Sequence, residues 1–381
     1  MSDMMSESEA KPRLDVGGQA VIEGVMMRGP RGYVTAVRVP STGEIIVDEH
    51  PYRPLAKRFK PASWPFLRGG IALFEMMVIG LKSLNFAAGT VGEDEERAKG
   101  AESGKAGEPD QERGTLTRLA LAGTMLISFA FAIVVFVVTP NLSTHILMNF
   151  HEVKEFAGEH GWGGALMSLA RGESLGFQEH QEPLAYNLVA GAVRISLFLL
   201  YVWGISLLKD IHRVYQYHGA EHMAIKTYEA GEPLKVEHAR VKTREHPRCG
   251  TTFLFITMLI AVFVYSFLTK AMVAIWPWLG ELGSRNWWAL KGILICSHIL
   301  CMPIIAGIGY EVVRFAAKRP GNLVIQGLIM PGLLFQRITT KPPDDSMLEV
   351  ALVSLERALA LSEARAEEPV AALDEASGAI Y

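Results

Sequence analysis

Four long runs of apolar residues dominate the pattern along the chain. A helix needs about 20 apolar residues to cross the hydrocarbon core of a bilayer, and each run is close to that length. The runs cover residues 119–139, 187–208, 251–269 and 292–310, and Arg194 is the single charged residue in them. The pattern therefore predicts an all-α membrane protein with four transmembrane helices.

A fifth apolar run, residues 71–91, is a poorer candidate because it contains Glu75 and Lys82. The positive charges between the other runs indicate where it lies. Segment 209–250 holds eight Lys or Arg residues, whereas segment 140–186 holds two. Because positively charged loops stay in the cytoplasm, four spans place 209–250 and both termini there. A fifth span would move the basic N-terminal residues outside, so we predict that 71–91 is an interfacial or re-entrant helix.

The polar stretches divide the rest of the chain. Tyr33–Val39 and Glu44–Glu49 flank a turn-forming Pro40–Gly43, which indicates a small cytoplasmic β-hairpin region. Helical apolar spacing in Met347–Leu361 predicts a surface helix or a helix that binds a partner. The expected regions are a disordered tail at 1–15, a glycine-rich and β-hairpin region with the interfacial helix at 16–92, a solvated linker at 93–115, the four-span domain at 116–316 with its cytoplasmic loop 209–250, an interfacial segment at 317–343, and a C-terminal helix and tail at 344–381.

Composition narrows the class of protein. Hydrophobic residues make up 50% of the chain, and the formal net charge is −3. This hydrophobicity excludes a disordered or collagen-like chain. Without an overall basic charge, the chain lacks the electrostatic signature of a nucleic-acid-binding protein. Its three cysteines, an odd number, suit a reducing compartment better than a disulfide framework.

The sharpest chemical motif is His218-Gly219-Ala220-Glu221-His222, in a helix that we predict to run unbroken over 187–230. His218 and His222 are four residues apart, so they share one helix face and can bind one metal ion. Glu221 lies beside them, where a carboxylate can move a proton of a metal-bound water. The order H-x-x-E-H is an inverted zinc-protease pattern, so the expected cofactor is a divalent metal, with zinc as first choice. The alternative is a histidine pair that only meets lipid headgroups or caps backbone carbonyls.

A third ligand is expected from the stretch 246–250, which contains His246 and Cys249. Segment 209–250 leaves and re-enters the same membrane face, so either side chain can return to the histidine pair. Both His/His/His and His/His/Cys are ordinary zinc ligand sets. The alternative for Cys249 is a small buried residue without a chemical role.

A glycine-rich stretch at 17–30 is the second unusual feature. One interpretation is a cytoplasmic loop that folds over the site and offers Gln19, Glu23 and Arg28 to a substrate. The other is an edge strand with turns. Charged residues in or beside spans are further candidates. They are Arg194, and Glu311, which is expected either to bind the metal or to pair with Arg314.

Four motifs together resemble the bacterial YqhQ family. They are GGQAVIEGVMMRGP at 17–30, PFLRGGIALFE at 65–75, YHGAEH at 217–222 and HPRCGTTF at 246–253, and the resemblance extends over roughly 15–340. That family is usually described as a predicted metal-dependent enzyme in the membrane. The resemblance implies an integral protein of the bacterial inner membrane with a suspected metal site at His218, Glu221, His222, His246 and Cys249.

These observations lead to a functional expectation and two alternatives. We expect metal-assisted hydrolysis at the cytoplasmic membrane surface, with Glu221 as general base and a lipid-linked or membrane-proximal substrate. The first alternative is a non-enzymatic scaffold or assembly factor. The second is a metal or small-ion transporter. The lipid bilayer is the expected partner, no nucleic acid is expected, and the sequence leaves protein partners and oligomeric state open.

Overall fold

Long apolar helices form the membrane part of the protein, as the sequence predicts. The computed structural model describes residues 14–55, 63–64, 67–103, 123–124, 126–148, 150–170, 183–317, 319 and 322–364. Four helices match the four predicted spans: α2 (Leu126–Met148, with a π-helical turn at Val134–Val138), α4 (Pro183–Ile205), α7 (Gly250–Ile275) and α9 (Trp287–Ala317). Each is long and apolar enough to cross a bilayer.

Helix α1 (Leu67–Ser103) covers the fifth apolar run as one continuous helix. By length and composition it is the fifth helix in the described part of the chain that qualifies as a span. It also takes in residues 93–103, which the sequence predicts to be part of a linker. The Ala, Glu, Lys and Arg residues there are strong helix formers, and they extend a helix that has already begun. The rest of the expected linker and most of the expected N-terminal tail lie outside the described residues.

A four-stranded antiparallel sheet precedes α1, in the order β1 (Gly17–Val21), β2 (Gly24–Arg28), β3 (Gly32–Arg38) and β4 (Ile45–Pro51). The hairpin of β3 and β4 was predicted. The glycine-rich stretch forms the hairpin of β1 and β2, so at this level the interpretation as an edge strand with turns is correct. Its turn contains Glu23, which has a positive φ of 52°.

The sheet lies between two helical layers. One face packs against α5 (Lys209–Ala230) and α11 (Asp345–Ala364), and the other against α1. Alternate residues of each strand point to opposite faces. The α5 and α11 side has Val25, Met27, Val34 and Ala36, while the α1 side has Val21, Met26, Tyr33 and Val37.

Helix α11 belongs to the core of its own chain. Met347, Ala351, Leu355 and Ala358 are buried against the sheet and α5. The apolar spacing that suggested a surface or partner-binding helix is therefore satisfied within the molecule. This finding removes α11 as a free docking helix.

Helices α4 and α5 are separate, which corrects the expectation of one helix over 187–230. Leu208 has an extended backbone with ψ of 133° and caps α5. The Ser206 hydroxyl donates to the Trp203 carbonyl, three residues earlier, where the helix ends. The break lets α5 leave the direction of the span and lie against the sheet.

Helix α10 (Leu323–Thr339) bridges the ends of two spans. Its Ile325 and Ile329 pack against Ala316 near the end of α9, and its Phe335 packs against Phe255 near the start of α7. These contacts place α10 across the same membrane face that both helix ends reach. The remaining described helices are α3 (Phe150–Ala170), α6 (Val236–Arg240) and α8 (Trp278–Arg285).

Candidate metal centre

Helix α5 places the two predicted histidines one turn apart on the same face. The ring centroids of His218 and His222 are 4.5 Å apart in an edge-on arrangement. His222 is buried and His218 is partly exposed. His222 is therefore enclosed, whereas His218 keeps some contact with solvent.

A backbone carbonyl fixes each ring. The Nδ1 of His218 lies 2.8 Å from the carbonyl oxygen of Thr339, and the Nδ1 of His222 is bonded to the carbonyl of Arg244. A carbonyl can only accept, so both Nδ1 atoms carry the hydrogen and both Nε2 atoms keep a lone pair. Metal-binding histidines are usually oriented in this way. The Nε2 of His222 is buried and has no hydrogen-bond partner among the described residues.

Cys249 supplies the third donor. Its Sγ lies 3.2 Å from the Nε2 of His218, and it caps α7 by accepting the backbone N–H of Thr251. One ligand atom from each of His218, His222 and Cys249 lies within 4.8 Å of the other two. Ligand atoms around tetrahedral zinc are about 3.3–3.8 Å apart, so closing the set needs a shift of about 1 Å. The donor set fits a zinc ion.

The surroundings favour the forms of these side chains that bind metal. Burial lowers the pKa of His222, which keeps the ring neutral. Burial alone would raise the pKa of the Cys249 thiol, but the adjacent His222 ring and the hydrogen bonds from Thr251 hold it below its ordinary value. A neutral imidazole and a thiolate are the species that coordinate zinc.

Glu221 lies beside the cluster, against strand β1. Burial raises the pKa of its carboxyl to about 8, an effect that His218 and a hydrogen bond from the backbone N–H of Gly18 partly oppose. A Cβ on Gly18 would lie 2.9 Å from both Cγ and Cδ of Glu221. The glycine therefore allows β1 to approach the carboxyl closely. This contact is how the glycine-rich stretch reaches the site.

His246 does not join the cluster. Its Nε2 lies 3.2 Å from a carboxylate oxygen of Glu229, and its Nδ1 accepts the backbone N–H of Arg248. Both ring nitrogens are thus engaged, although the ring is only 5.7 Å from that of His222. Of the two predicted third ligands, the structure brings Cys249 to the histidine pair.

Gln336 of α10 holds the loop in front of Cys249, a role that sequence reasoning missed. The side chain is fully buried. Its oxygen accepts the N–H of His246 at 2.7 Å, and its nitrogen donates to the carbonyl of His246, also at 2.7 Å, and to the Thr252 hydroxyl. The sequence feature that could have indicated this role is an amide side chain at the end of an apolar run.

The predicted substrate-binding side chains lie elsewhere. Gln19 projects from the α1 face of the sheet and contacts the helix at Gly80. Arg28 lies over the ring of Tyr52, with 5.7 Å between guanidinium carbon and ring centroid. Glu23 forms an ion pair with Arg213 and accepts the Tyr217 hydroxyl. The structure therefore does not bring these three side chains to the histidine cluster.

The two other charged candidates are also engaged away from the cluster. Glu311 receives both bonds of the Arg68 guanidinium, each 2.6 Å long. This agrees with an ion-pairing role, but Arg68 was not the expected partner. Arg194, in the middle of α4, donates to the side-chain oxygen of Asn141. Neither side chain reaches the cluster of His218, His222 and Cys249.

Comparison with known proteins gives a family. Residues 64–361 match the model of a family described as "Protein of unknown function (DUF1385)". The chain is 29% identical over 357 residues to the "Uncharacterized protein YqhQ" of Bacillus subtilis (strain 168), covering 94% of this chain and 95% of that protein. No solved structure matches the chain. The protein belongs to the DUF1385 family.

Proposed function

We propose that the protein is a metal-dependent membrane enzyme of the hydrolase type. His218, His222 and Cys249 hold a divalent ion, zinc by preference, and Glu221 acts as general base. The observation that carries the proposal is the buried Nε2 of His222, which lacks a hydrogen-bond partner among the described residues. An unpartnered buried polar atom costs about 1–3 kcal/mol, and a bound ion would remove that cost.

Three protein ligands leave the fourth position of a tetrahedral site open, which is typical of catalytic zinc. An ion in this place would supply a Lewis acid and an activated water. The positive charge of a bound ion would favour the ionised form of the buried Glu221 carboxyl. As a carboxylate, Glu221 takes the proton of the attacking water and returns it to the leaving group. The carbonyls of Thr339 and Arg244 keep both imidazoles oriented throughout.

The position of the cluster at the membrane surface limits which substrates can reach it. Cys249 caps α7 at the start of a span, and Thr339 ends α10, which lies across the span ends. A molecule that reaches this place is lipid-linked or lies at the membrane surface. The excess of Lys and Arg in 209–250 supports a cytoplasmic position for the cluster. We place the protein in the bacterial inner membrane, with several spans and both termini in the cytoplasm.

One observation supports a second candidate mechanism. Cys249 Sγ and His218 Nε2 are 3.2 Å apart at the start of a 26-residue helix. Without a metal, such a pair is a thiol nucleophile with an imidazole base. Iodoacetamide separates the two mechanisms. A metal-bound thiolate is protected from alkylation until a chelator is added, whereas a free nucleophile reacts at once.

Glu221→Gln tests the proposed chemistry in a cell that lacks its own copy of the protein. Because Glu221 is not a metal ligand in this proposal, we expect the variant to retain its metal but fail to restore normal growth. Glu237→Gln, at an exposed position of α6, is the matched control and should restore growth. Restoration by Glu221→Gln to the same extent would contradict a catalytic role and favour the scaffold alternative.

A further inference from the structure

Helix α1 qualifies as a span by length and hydropathy, but its contacts place it differently. The first turn of α1 packs against the C-terminal part of α9. Arg68 forms the two 2.6 Å bonds to Glu311, and a Cβ on Gly69 would lie 2.6 Å from the Cβ of Tyr310. The beginning of α1 therefore lies at the depth where α9 is about to end.

The rest of α1 follows the sheet. Ile79 packs against Met26 and Tyr33, and the Thr35 hydroxyl donates to that of Ser83 over 2.9 Å. One turn further, Ala87 packs against the sheet. Near its C-terminal end, Asp94 accepts the backbone N–H of Ser41, in the turn between β3 and β4, at 3.0 Å. The contacts between α1 and the sheet therefore continue from Ile79 to Asp94, which lies more than two turns before the end of the helix.

Both ends of α1 lie on one side of the membrane. The sheet packs against α5, and α5 meets the end of α10 through the bond between His218 and Thr339. Helix α10 in turn packs against Ala316 at the end of α9. The sheet and the end of α9 thus share one face of the bilayer, so a helix fixed to both has no end on the other face.

A separate face of α1 is apolar and exposed. Leu73, Phe74, Met77, Leu81 and Leu84 recur at helical spacing and are each 38–54% exposed. They form a lipid stripe, a name that we use for these five residues. The stripe begins beside the part of α9 that α1 contacts, where Met302 and Ile304 are exposed within a span. This continuity identifies bilayer lipid as its neighbour.

We propose that α1 does not cross the membrane but lies in one leaflet, with the lipid stripe in the acyl chains and the other face covering the sheet. Length and hydropathy alone do not distinguish this arrangement from a span, because both need apolar residues. The chain then crosses the bilayer four times. This inference does not depend on the metal.

Cysteine labelling in oriented vesicles tests the proposal on the full chain. A membrane-impermeant maleimide is applied to right-side-out and inside-out vesicles that contain Thr42→Cys, Glu96→Cys or Glu281→Cys. The unaltered protein gives the background from Cys249, Cys296 and Cys301. We expect Thr42→Cys and Glu96→Cys to react in the same vesicle orientation and Glu281→Cys, in α8, to react in the other. Reaction of Thr42→Cys in the orientation opposite to that of Glu96→Cys, and therefore together with Glu281→Cys, would show that α1 crosses.

Leu81→Cys tests the stripe in the same assay. In the arrangement proposed, this thiol lies among acyl chains, so it should react in neither vesicle orientation but become reactive after detergent solubilisation. Glu96→Cys, on the same helix, is the control and should react before solubilisation. Reaction of Leu81→Cys in intact vesicles would show that the stripe faces water and would overturn the lipid assignment.

Discussion

Two backbone carbonyls determine which ring nitrogens of His218 and His222 keep a lone pair. Because the oxygens of Thr339 and Arg244 fix the hydrogen on both Nδ1 atoms, both Nε2 atoms are left as acceptors. In a pair that only packed, the inward nitrogen of His222 would be expected to find a donor. Its isolation among the described residues makes sense when that nitrogen binds a cation.

Gly18 offers a direct test of the contact between β1 and Glu221. In Gly18→Ala, the new Cβ would lie 2.7 Å from the carbonyl oxygen of Met26 and 2.9 Å from Glu221. Overpacking of this kind costs about 1–3 kcal/mol, so we expect a lower melting temperature in detergent and displacement of Glu221. Gly17→Ala is the matched control, since nothing lies within 4 Å of its Cβ. Equal melting temperatures for the two variants would contradict the close approach.

The histidine pair was predictable because helical spacing alone puts His218 and His222 on one face. The choice between His246 and Cys249 was not, because it depends on Gln336, 90 positions further along the chain. Gln19 and Arg28 lie away from the histidine pair for a different reason. Strand alternation points both side chains to the α1 face of the sheet, away from Glu221, and a glycine-rich segment does not reveal that it forms strands.

Among the helices and loops, the junction of α10 with α7 has the clearest consequence for the site. Gln336 bonds both backbone groups of His246 and the Thr252 hydroxyl, and so fixes the loop that presents Cys249. Helix α10 is therefore a support for the third ligand, in addition to any contact with lipid.

Gln336→Leu removes this support while keeping a similar volume. The buried N–H and carbonyl of His246 would lose their partner, at about 1–3 kcal/mol for each group. We expect a clear fall in melting temperature and weaker metal retention on dialysis. Glu237→Gln, at an exposed position of α6, should change neither quantity. If Gln336→Leu keeps its metal and has the same melting temperature as the unaltered protein, the loop does not depend on the hydrogen bonds of Gln336.

The sequence predicted the β3–β4 hairpin because alternating residues flank a turn, and it predicted the four span helices because their apolar runs are nearly uninterrupted. The break between α4 and α5 was missed because Ser206–Leu208 carries neither Pro nor Gly. Nor could hydropathy show what α1 contacts. Its inner face covers a sheet that is itself assembled from residues before it in the chain.

The molecule consists of two structural parts that meet at one membrane face. Spanning helices anchor the protein, and the sheet with α1, α5 and α11 forms a compact body beside them. The candidate centre lies where these parts meet, since its ligands come from α5 and from the cap of α7, and its supports come from β1 and α10. Folding of the two parts against each other is thus a condition for assembling the cluster.

The metal content of the purified protein tests the central claim most directly. The full chain is purified in detergent with a tag that binds no metal, and zinc is measured by mass spectrometry for the unaltered protein, His222→Ala and His212→Ala. His212 is an exposed histidine on the same helix. Gel filtration confirms that each variant remains folded. We expect about one zinc ion per chain in the unaltered protein and in His212→Ala, and a large loss in His222→Ala. Equal zinc content in all three proteins, or none in any after growth with added zinc, would contradict the account.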